Sequence, residues 1–319
     1  GFDRVFDTNF GADLTIMEEG TELIGRLSSG EKLPLMTSCC PGWVKFVEHN
    51  FPDLLGNLST CKSPHEMEGA VIKSYLAGKL GLDPKSVVVV SIMPCTAKKF
   101  ESGRDELSRD GLPDVDYVLT TRELARMIKE AGIDFKNLPD EEFDHPMGLG
   151  SGAGAIFGAT GGVAEAALRT VYEFVSGRTL EKVDFEQVRG LEGIKRSEIE
   201  LPGGRKVKTA VVHGLGNARR LMEMVRRGEA DLDFIEVMAC PGGCINGGGQ
   251  PIVPESCRHD MDIRAVRAKA IYEEDAHLPI RQSHKNPYIK QLYEEFLGEP
   301  NGHLAHELLH TTYVERSRF

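Results

Sequence analysis

The chain has 319 residues and a formal net charge of −11. That length allows about two domains, and the acidity excludes nucleic-acid and anionic-membrane partners, which select basic surfaces. The composition, 40% hydrophobic and 27% charged with a mean hydropathy of −0.26, is that of a globular protein. No apolar run approaches the ~20 residues of a membrane span. The opening GFDRVFDTNFGADL carries acids and no apolar stretch, unlike a signal peptide. It also lacks an initiating Met, so a piece of a longer chain is expected.

In chain order, three apolar runs share one design. LPLMTSCC (Leu33–Cys40), VVVVSIMPC (Val87–Cys95) and FIEVMAC (Phe234–Cys240) each read as a short strand, the second buried on both faces. Each ends in a loop bearing Cys with Pro or Gly. Ligands of open α/β sheets sit beyond the carboxyl ends of strands, so three such loops point to one shared site. Between them, Val44–Asn50, Ser63–Leu80 and Thr121–Ala131 read as amphipathic helices, with Ser63-Pro64 as a start and Gly81 as a stop. The polar stretch Asp134–Gly150 marks a lobe boundary. SGAGAIFGATGGVAEAALR (Ser151–Arg169) is a Gly/Ala-rich loop opening a helix. It fits neither a P-loop nor a dinucleotide fingerprint, and close packing against a bulky inorganic cofactor is an equally good reading. Lys206–Val212 and Gly216–Arg227 read as strand then helix. Alternating strand and helix give an α/β fold: two lobes of mostly parallel sheet flanked by helices, about 1–133 and 151–257. The tail Ala265–Phe319 reads as helical and polar. There His303, His306 and His310 fall on one helical face, as a docking helix or a metal site.

The seven cysteines are Cys39, Cys40, Cys61, Cys95, Cys240, Cys244 and Cys257. An odd number at irregular spacing without a secretory signal favours metal or catalytic use over disulfides. Cys61 and Cys257 stand in no special context and read as small buried hydrophobes. CPGGC (Cys240–Cys244) can hold one metal centre, but zinc wants a second close pair, and only the adjacent Cys39–Cys40 exists. A cubane iron–sulfur cluster collects thiolates from distant loops. One cysteine from TSCC, one from MPC and two from CPGGC make four. The glycines of INGGGQP (Ile245–Pro251) then leave room beside Cys244 for something larger.

TSCCPGW, MPCTAKKFE (Met93–Glu101) and EVMACPGGCINGGGQP (Glu236–Pro251) resemble the three signature stretches of iron-only ([FeFe]) hydrogenases, and SGAGAIFGATGG a fourth. The resemblance runs over essentially the whole chain. Ser283–Tyr313 is similar to the family's small-subunit segment, so residues 1–257 read as the catalytic large-subunit domain and 258–319 as a fused small-subunit-like segment. The resemblance implies an H-cluster: a cubane [4Fe–4S] joined through one cysteine sulfur to a two-iron subsite with carbon monoxide, cyanide and a bridging dithiolate. Its ligands would be Cys40, Cys95, Cys240 and Cys244, with Cys244 bridging. Cys39 would then point at the open coordination position as a proton-relaying thiol, with a free pKa of ~8.5. The relay would continue through Glu19, Ser59 and Glu22, with Arg26 nearby. Glu19, Glu22 and Arg26 stand at helical i, i+3 and i+4 spacing.

By the same resemblance, Lys98 would donate to a cyanide, with Glu101 as its partner if a helix starts there. Backbone groups near Ser38 and the Ala-Gly loop would serve the second cyanide. Met93, Met238 and Phe157 would wall the subsite, and Pro94, without an N–H, would only pack. His65 stands where many members carry glutamine and would titrate near neutral pH beside the subsite. No ferredoxin-like C-x₂-C-x₂-C pattern is present. By the resemblance, a site-lining loop expected before Gly1 is missing from this sequence, so the chain is expected either to dock ferredoxin or a flavin-containing NAD(P)H-linked subunit or to be cut from a larger protein. The expected activity is reversible reduction of protons to H₂ in the cytoplasm of an anaerobe. The alternatives are a non-catalytic iron–sulfur relative serving assembly or regulation, a hydrogen sensor, and a structural zinc protein. Non-catalytic relatives are expected to lose Cys39, Lys98 or the GGGQP glycines, all present here; a sensor's signalling domain is not visible but would be hidden if the chain is a piece; and zinc has no use for Cys39 or Lys98.

Overall fold

Three sheets organise the computed structural model, which describes residues 1–201 and 204–317. The largest has the order β1 (Leu35–Met36), β8 (Phe234–Met238), β7 (Lys206–His213), β6 (Ile194–Glu200). β1 and β7 run parallel to β8, and β6 closes the edge antiparallel to β7. β2 (Val90–Met93) and β5 (Tyr117–Thr120) form a separate parallel pair, and β3 (Ser108–Arg109) with β4 (Leu112–Pro113) a short hairpin. β8 is buried at every position because apolar clusters cover both of its faces. Phe234 and Met238 pack with Ile16 and Val163, while Ile235 and Val237 pack with Trp43 and Val47.

Two strands depart from the sequence reading. β2 alternates half-buried and buried instead of hiding both faces, and Val88 just before it is 62% exposed. A two-stranded sheet has one covered side, so the β-branched run meets solvent on the other. β6 escapes a pattern search because IKRSEIE is mostly polar and half exposed, as an edge strand protected by charge should be.

The helices start and stop where local chemistry directs. The longest, Thr8–Ser29, begins at Asp7, whose carboxylate accepts from the Asn9 N–H, and ends at Gly30 in the left-handed region. It is buried continuously from Phe10 to Gly20, packed between the Pro64–Val71 and Gly162–Ser176 helices. Ser63 opens the former without a side-chain cap; its hydroxyl instead donates to Glu101 at 3.0 Å. That helix runs on through a π-turn at Ile72–Leu76 and stops after Leu80 at Gly81, φ +67°. The expected Thr121 helix spans Thr121–Glu130 behind a capping box of Thr120 and Glu123.

The C-terminal helices Ile263–His277, Pro287–Leu292 and His303–Leu309 lie along the rest of the chain; Arg318 and Phe319 of the tail fall outside the described residues. Buried polar contacts hold them. Arg169 chelates Asp275 at 2.8 and 2.9 Å, and Asn286 donates to Asp13 at 2.9 Å. His303 and His306 share a helix, but His310 lies beyond its end. His310 stacks on His306 at 4.4 Å between centroids and is engaged by Glu18 at 3.0 Å and Thr60 at 2.8 Å. Cys61 is fully buried, as read from sequence, whereas Cys257 is exposed on the short helix Glu255–Asp260. No helix among the described residues is long and apolar enough to cross a membrane.

Candidate active site

Each cysteine loop follows the carboxyl end of its strand: Cys39 and Cys40 after β1, Cys95 after β2, and Cys240 and Cys244 after β8. β1 and β8 are parallel neighbours, which sets the first and third loops side by side. The Ala239 N–H donates to the Cys40 sulfur at 3.4 Å. The second loop comes from the other sheet and is tied across by the Gly249 N–H, which donates to the Pro94 carbonyl at 2.8 Å. Pro94 therefore does more than pack.

The glycines permit this interlock. A Cβ at Gly249 would stand 2.8 Å from the Pro94 carbonyl carbon and 2.9 Å from the Cys95 nitrogen. One at Gly247 would collide with the Pro94 oxygen, and one at Gly243, φ +99°, would sit 2.7 Å from Gly158 O and Thr160 N. The run after Cys244 thus serves backbone-on-backbone packing, rather than the empty space expected from the sequence.

Cys40, Cys95, Cys240 and Cys244 converge. Cys95 raises the cost of ionising Cys40, Cys40 and Cys95 that of Cys240, and all three that of Cys244, on top of burial, which is the larger cause. No three of these sulfurs lie within 4.8 Å of one another; among the described residues only His65, Glu66 and Glu101 form so tight a set. Ligands of one tetrahedral zinc stand closer than that, since each Zn–S bond is about 2.3 Å. The thiols keep intermediate surface accessibility, yet Cys39, Cys40 and Cys244 are enclosed by protein. Thiols that keep accessible surface this deep in the protein have open space beside them, and four spread over three loops fit a polynuclear iron–sulfur group. Bound iron would offset the cost of four buried thiolates.

Cys39 is left outside that set. Burial, then Glu19 and Cys40, push its thiol well above the usual range, so it keeps its proton. Glu19 is fully buried and pushed up to about 8, by burial first and then by Glu22. Ser59 hydrogen-bonds Glu19 and donates to Glu22 at 2.7 Å. Glu22 accepts from Arg26 at 2.5 Å. The Arg26 guanidinium also donates to the Lys32 and Leu58 carbonyls at 3.0 and 2.9 Å. Glu19 is thus a neighbour of Cys39, and from it hydrogen bonds run through Ser59 to the half-buried Glu22–Arg26 pair.

On the opposite wall, Lys98 starts a single helical turn, Lys98–Glu101. Its ammonium donates to Glu101 at 2.6 Å and to the Cys39 carbonyl at 3.0 Å. Burial works to discharge it, but Glu101 outweighs that and holds it charged. His65 does not titrate near neutrality. Burial, then Lys98, lower it to about 4 against the pull of Glu101. Met238 shares an apolar cluster with Phe157, Cys39 and Cys244, and Met93 packs with Val115 and Val118 beside Cys95. The Ser38 hydroxyl is engaged by the Cys61 carbonyl at 2.7 Å.

Sequence reasoning missed three buried groups here. Ser63 and Ser91 meet His65 and Glu101 only through long-range contacts, for which one sequence holds no signal. Glu236 did carry a signal, an acid inside a wholly apolar strand. Its carboxylate accepts from the Gly161 and Ala164 N–H groups at 2.6 and 2.8 Å, fastening the strand of Cys240 to the Gly/Ala-rich loop.

Four cysteines brought together from three loops, with a buried chain of acids beside them, fit an iron–sulfur protein. Residues 1–248 match the family described as iron only hydrogenase large subunit, C-terminal domain, and residues 261–316 match iron hydrogenase small subunit. The chain belongs to the iron-only hydrogenase family. It is 55% identical over 325 residues to the NADP-reducing hydrogenase subunit HndD of Solidesulfovibrio fructosivorans, covering 100% of this chain and 54% of that one. It is 50% identical over 313 residues to iron hydrogenase 1 of Clostridium pasteurianum, covering 98% and 54%. The chain thus spans about half the length of these relatives. The structure of a variant of the [FeFe]-hydrogenase HydA1 from Chlamydomonas reinhardtii superposes with a TM-score of 0.86 at 47% identity, covering 99% of this chain and 86% of that one. The family's cofactor is the H-cluster, a [4Fe–4S] cluster linked to a two-iron subsite, and the cavity described above fits it.

Proposed function

We propose that this chain catalyses 2H⁺ + 2e⁻ ⇌ H₂. The observation that carries the reading is the fifth thiol: buried Cys39 stands beside Cys40 and Cys244 and next to Glu19, from which hydrogen bonds lead on through Ser59 to Glu22. Cys40, Cys95, Cys240 and Cys244 would hold the H-cluster. When bound, that group supplies electrons and the iron at which protons are reduced.

The chain's own residues do the rest. Cys39 holds a proton at its sulfur and delivers it into the cavity. Glu19, protonated near neutral pH, restores it. Ser59 accepts and donates through one hydroxyl, linking Glu19 to Glu22, and Arg26 keeps Glu22 anchored where solvent can supply the next proton. Lys98, held on Glu101 and the Cys39 carbonyl, would present a fixed positive charge to anionic ligands of the subsite. Met93, Met238 and Phe157 would wall it off from water, Pro94 ties the Cys95 loop in place, and backbone groups near Ser38 would serve the second cyanide.

Electrons come from a ferredoxin or an NAD(P)H-linked flavin or iron–sulfur subunit; the name of the HndD relative favours the latter. Residues 1–257 act as the catalytic part and 258–319 as a small-subunit-like segment, whose Asn286, Tyr293 and His310 brace the Thr8–Ser29 helix. The setting is the cytoplasm of an anaerobe. The test is hydrogen evolution from reduced viologen by protein loaded with the cofactor under anaerobic conditions. Turnover absent from the unloaded protein is expected; a fully loaded protein that evolves none overturns the reading.

A further inference from the structure

Glu101 stands at a crossing. One of its carboxylate oxygens, Oε2, takes Lys98 at 2.6 Å, His65 at 2.7 Å and Ser63 at 3.0 Å. Three donors from two separate segments therefore fix one acceptor, and that acceptor fixes Lys98. The His65 ring is fixed in turn. Its Nε2 faces the ionised Glu101 carboxylate, which only accepts, so Nε2 carries the hydrogen; Nδ1 then accepts from the Ser91 hydroxyl at 3.0 Å. Behind it lies Glu66, fully buried, with neither carboxylate oxygen in a hydrogen bond and one of them 3.2 Å from His65 Nε2.

We propose that His65 is a positioning residue for Lys98, acting through Glu101, with Glu66 as the uncharged wall that keeps the imidazole turned toward that carboxylate. The proposal rests on the reading that Lys98 serves the two-iron subsite. Charge counting supports it. Lys98 and Glu101 cancel, and a neutral ring beside a protonated Glu66 leaves the cluster at zero. The further charges around it, Lys62 and Asp114, are paired with each other at 2.7 Å. His65, Glu66 and Glu101 do lie close enough to chelate an ion, but the ammonium of Lys98 already supplies the positive charge that a cation would bring.

The neutral ring donates once and accepts once, and so does a glutamine amide. His65→Gln should therefore preserve both contacts, while His65→Leu removes both and leaves Glu101 and Ser91 to rearrange. With loaded protein, His65→Leu should shift the infrared bands of iron-bound cyanide and lower hydrogen evolution at least tenfold, by order of magnitude for lost positioning. His65→Gln should keep bands and rate within about twofold of the parent by the same measure. In a Lys98→Met background, His65→Leu should move the bands no further. Parent-like bands in His65→Leu, or an equal shift with and without Lys98, overturn the proposal. The unloaded protein gives an independent reading through ¹⁵N-histidine resonances. At pH 7 His65 should show the neutral Nε2–H form, and Lys98→Met should move its signals. Unmoved signals, or a doubly protonated ring, also overturn it. A parent that loads no cyanide-bearing iron removes the functional reading above, while the unloaded protein still decides whether His65 and Lys98 are coupled.

Discussion

The ammonium of Lys98 donates to the backbone carbonyl of Cys39 at 3.0 Å, bridging the second cysteine loop to the first. Lys98 is thereby part of the scaffold as well as of the cavity lining. Its loss strands Glu101 as a buried charge, which in general costs about 3–5 kcal/mol. Lys98→Met should lower the urea midpoint of the unloaded protein accordingly, and adding Glu101→Gln should recover much of that loss. A single variant as stable as the parent would show that the pair contributes nothing to the fold.

Cys39→Ser keeps the size of the side chain but replaces a thiol with a hydroxyl that gives up its proton far less readily. Positioned proton transfer is worth about 10²–10⁴ in rate. Hydrogen evolution should fall within that range while iron content and infrared bands persist. A parent rate in this variant would remove Cys39 from the proton string.

Glu68 tests the electrostatics away from the cluster. Burial, then Asp7, push its carboxyl up to about 8, whereas an unfolded glutamate titrates near ~4.3. The folded state therefore holds an extra proton between those two values. Its contribution to stability is complete below the unfolded value and is lost as pH rises through the folded one, by at most about 1.4 kcal/mol per pH unit. Glu68→Gln should make stability of the unloaded protein depend less on pH between 5 and 8. Urea midpoints at several pH values read this directly, and an unchanged slope would assign the pH dependence to other groups.

The site was legible in the sequence to the extent that it is made of contiguous motifs. TSCC, MPC and CPGGC place their cysteines by strand ends alone, and the helical spacing of Glu19, Glu22 and Arg26 survives into the Thr8–Ser29 helix. What escaped were contacts between distant segments. The partners of His65 are Ser91 and Glu101, 26 and 36 residues away, so a ring that looks titratable in sequence is held neutral in the fold. β6 escaped because its side chains protect a sheet edge rather than fill a core. The glycines after Cys244 were noticed, but their reason lies in the backbone of Pro94 and Cys95, which no local pattern reveals.

Gly249→Ala tests that reason. The added methyl group would press on the Pro94–Cys95 backbone and on the Thr120 side chain at 2.8–2.9 Å, displacing one ligand loop from the other three cysteines. The protein should fold but retain less iron and acid-labile sulfide after reconstitution. Normal iron and sulfide content would mean that the loop has slack.

The central claim is that four cysteines from three loops grip one composite iron centre. Infrared spectroscopy of the anaerobically loaded protein addresses it most directly, in the parent and in a Cys244→Ala variant. The parent should show bands of iron-bound carbon monoxide and cyanide, and the variant should lose them. A parent without such bands, binding zinc or a bare cubane in their place, or a variant that keeps them, would contradict the account.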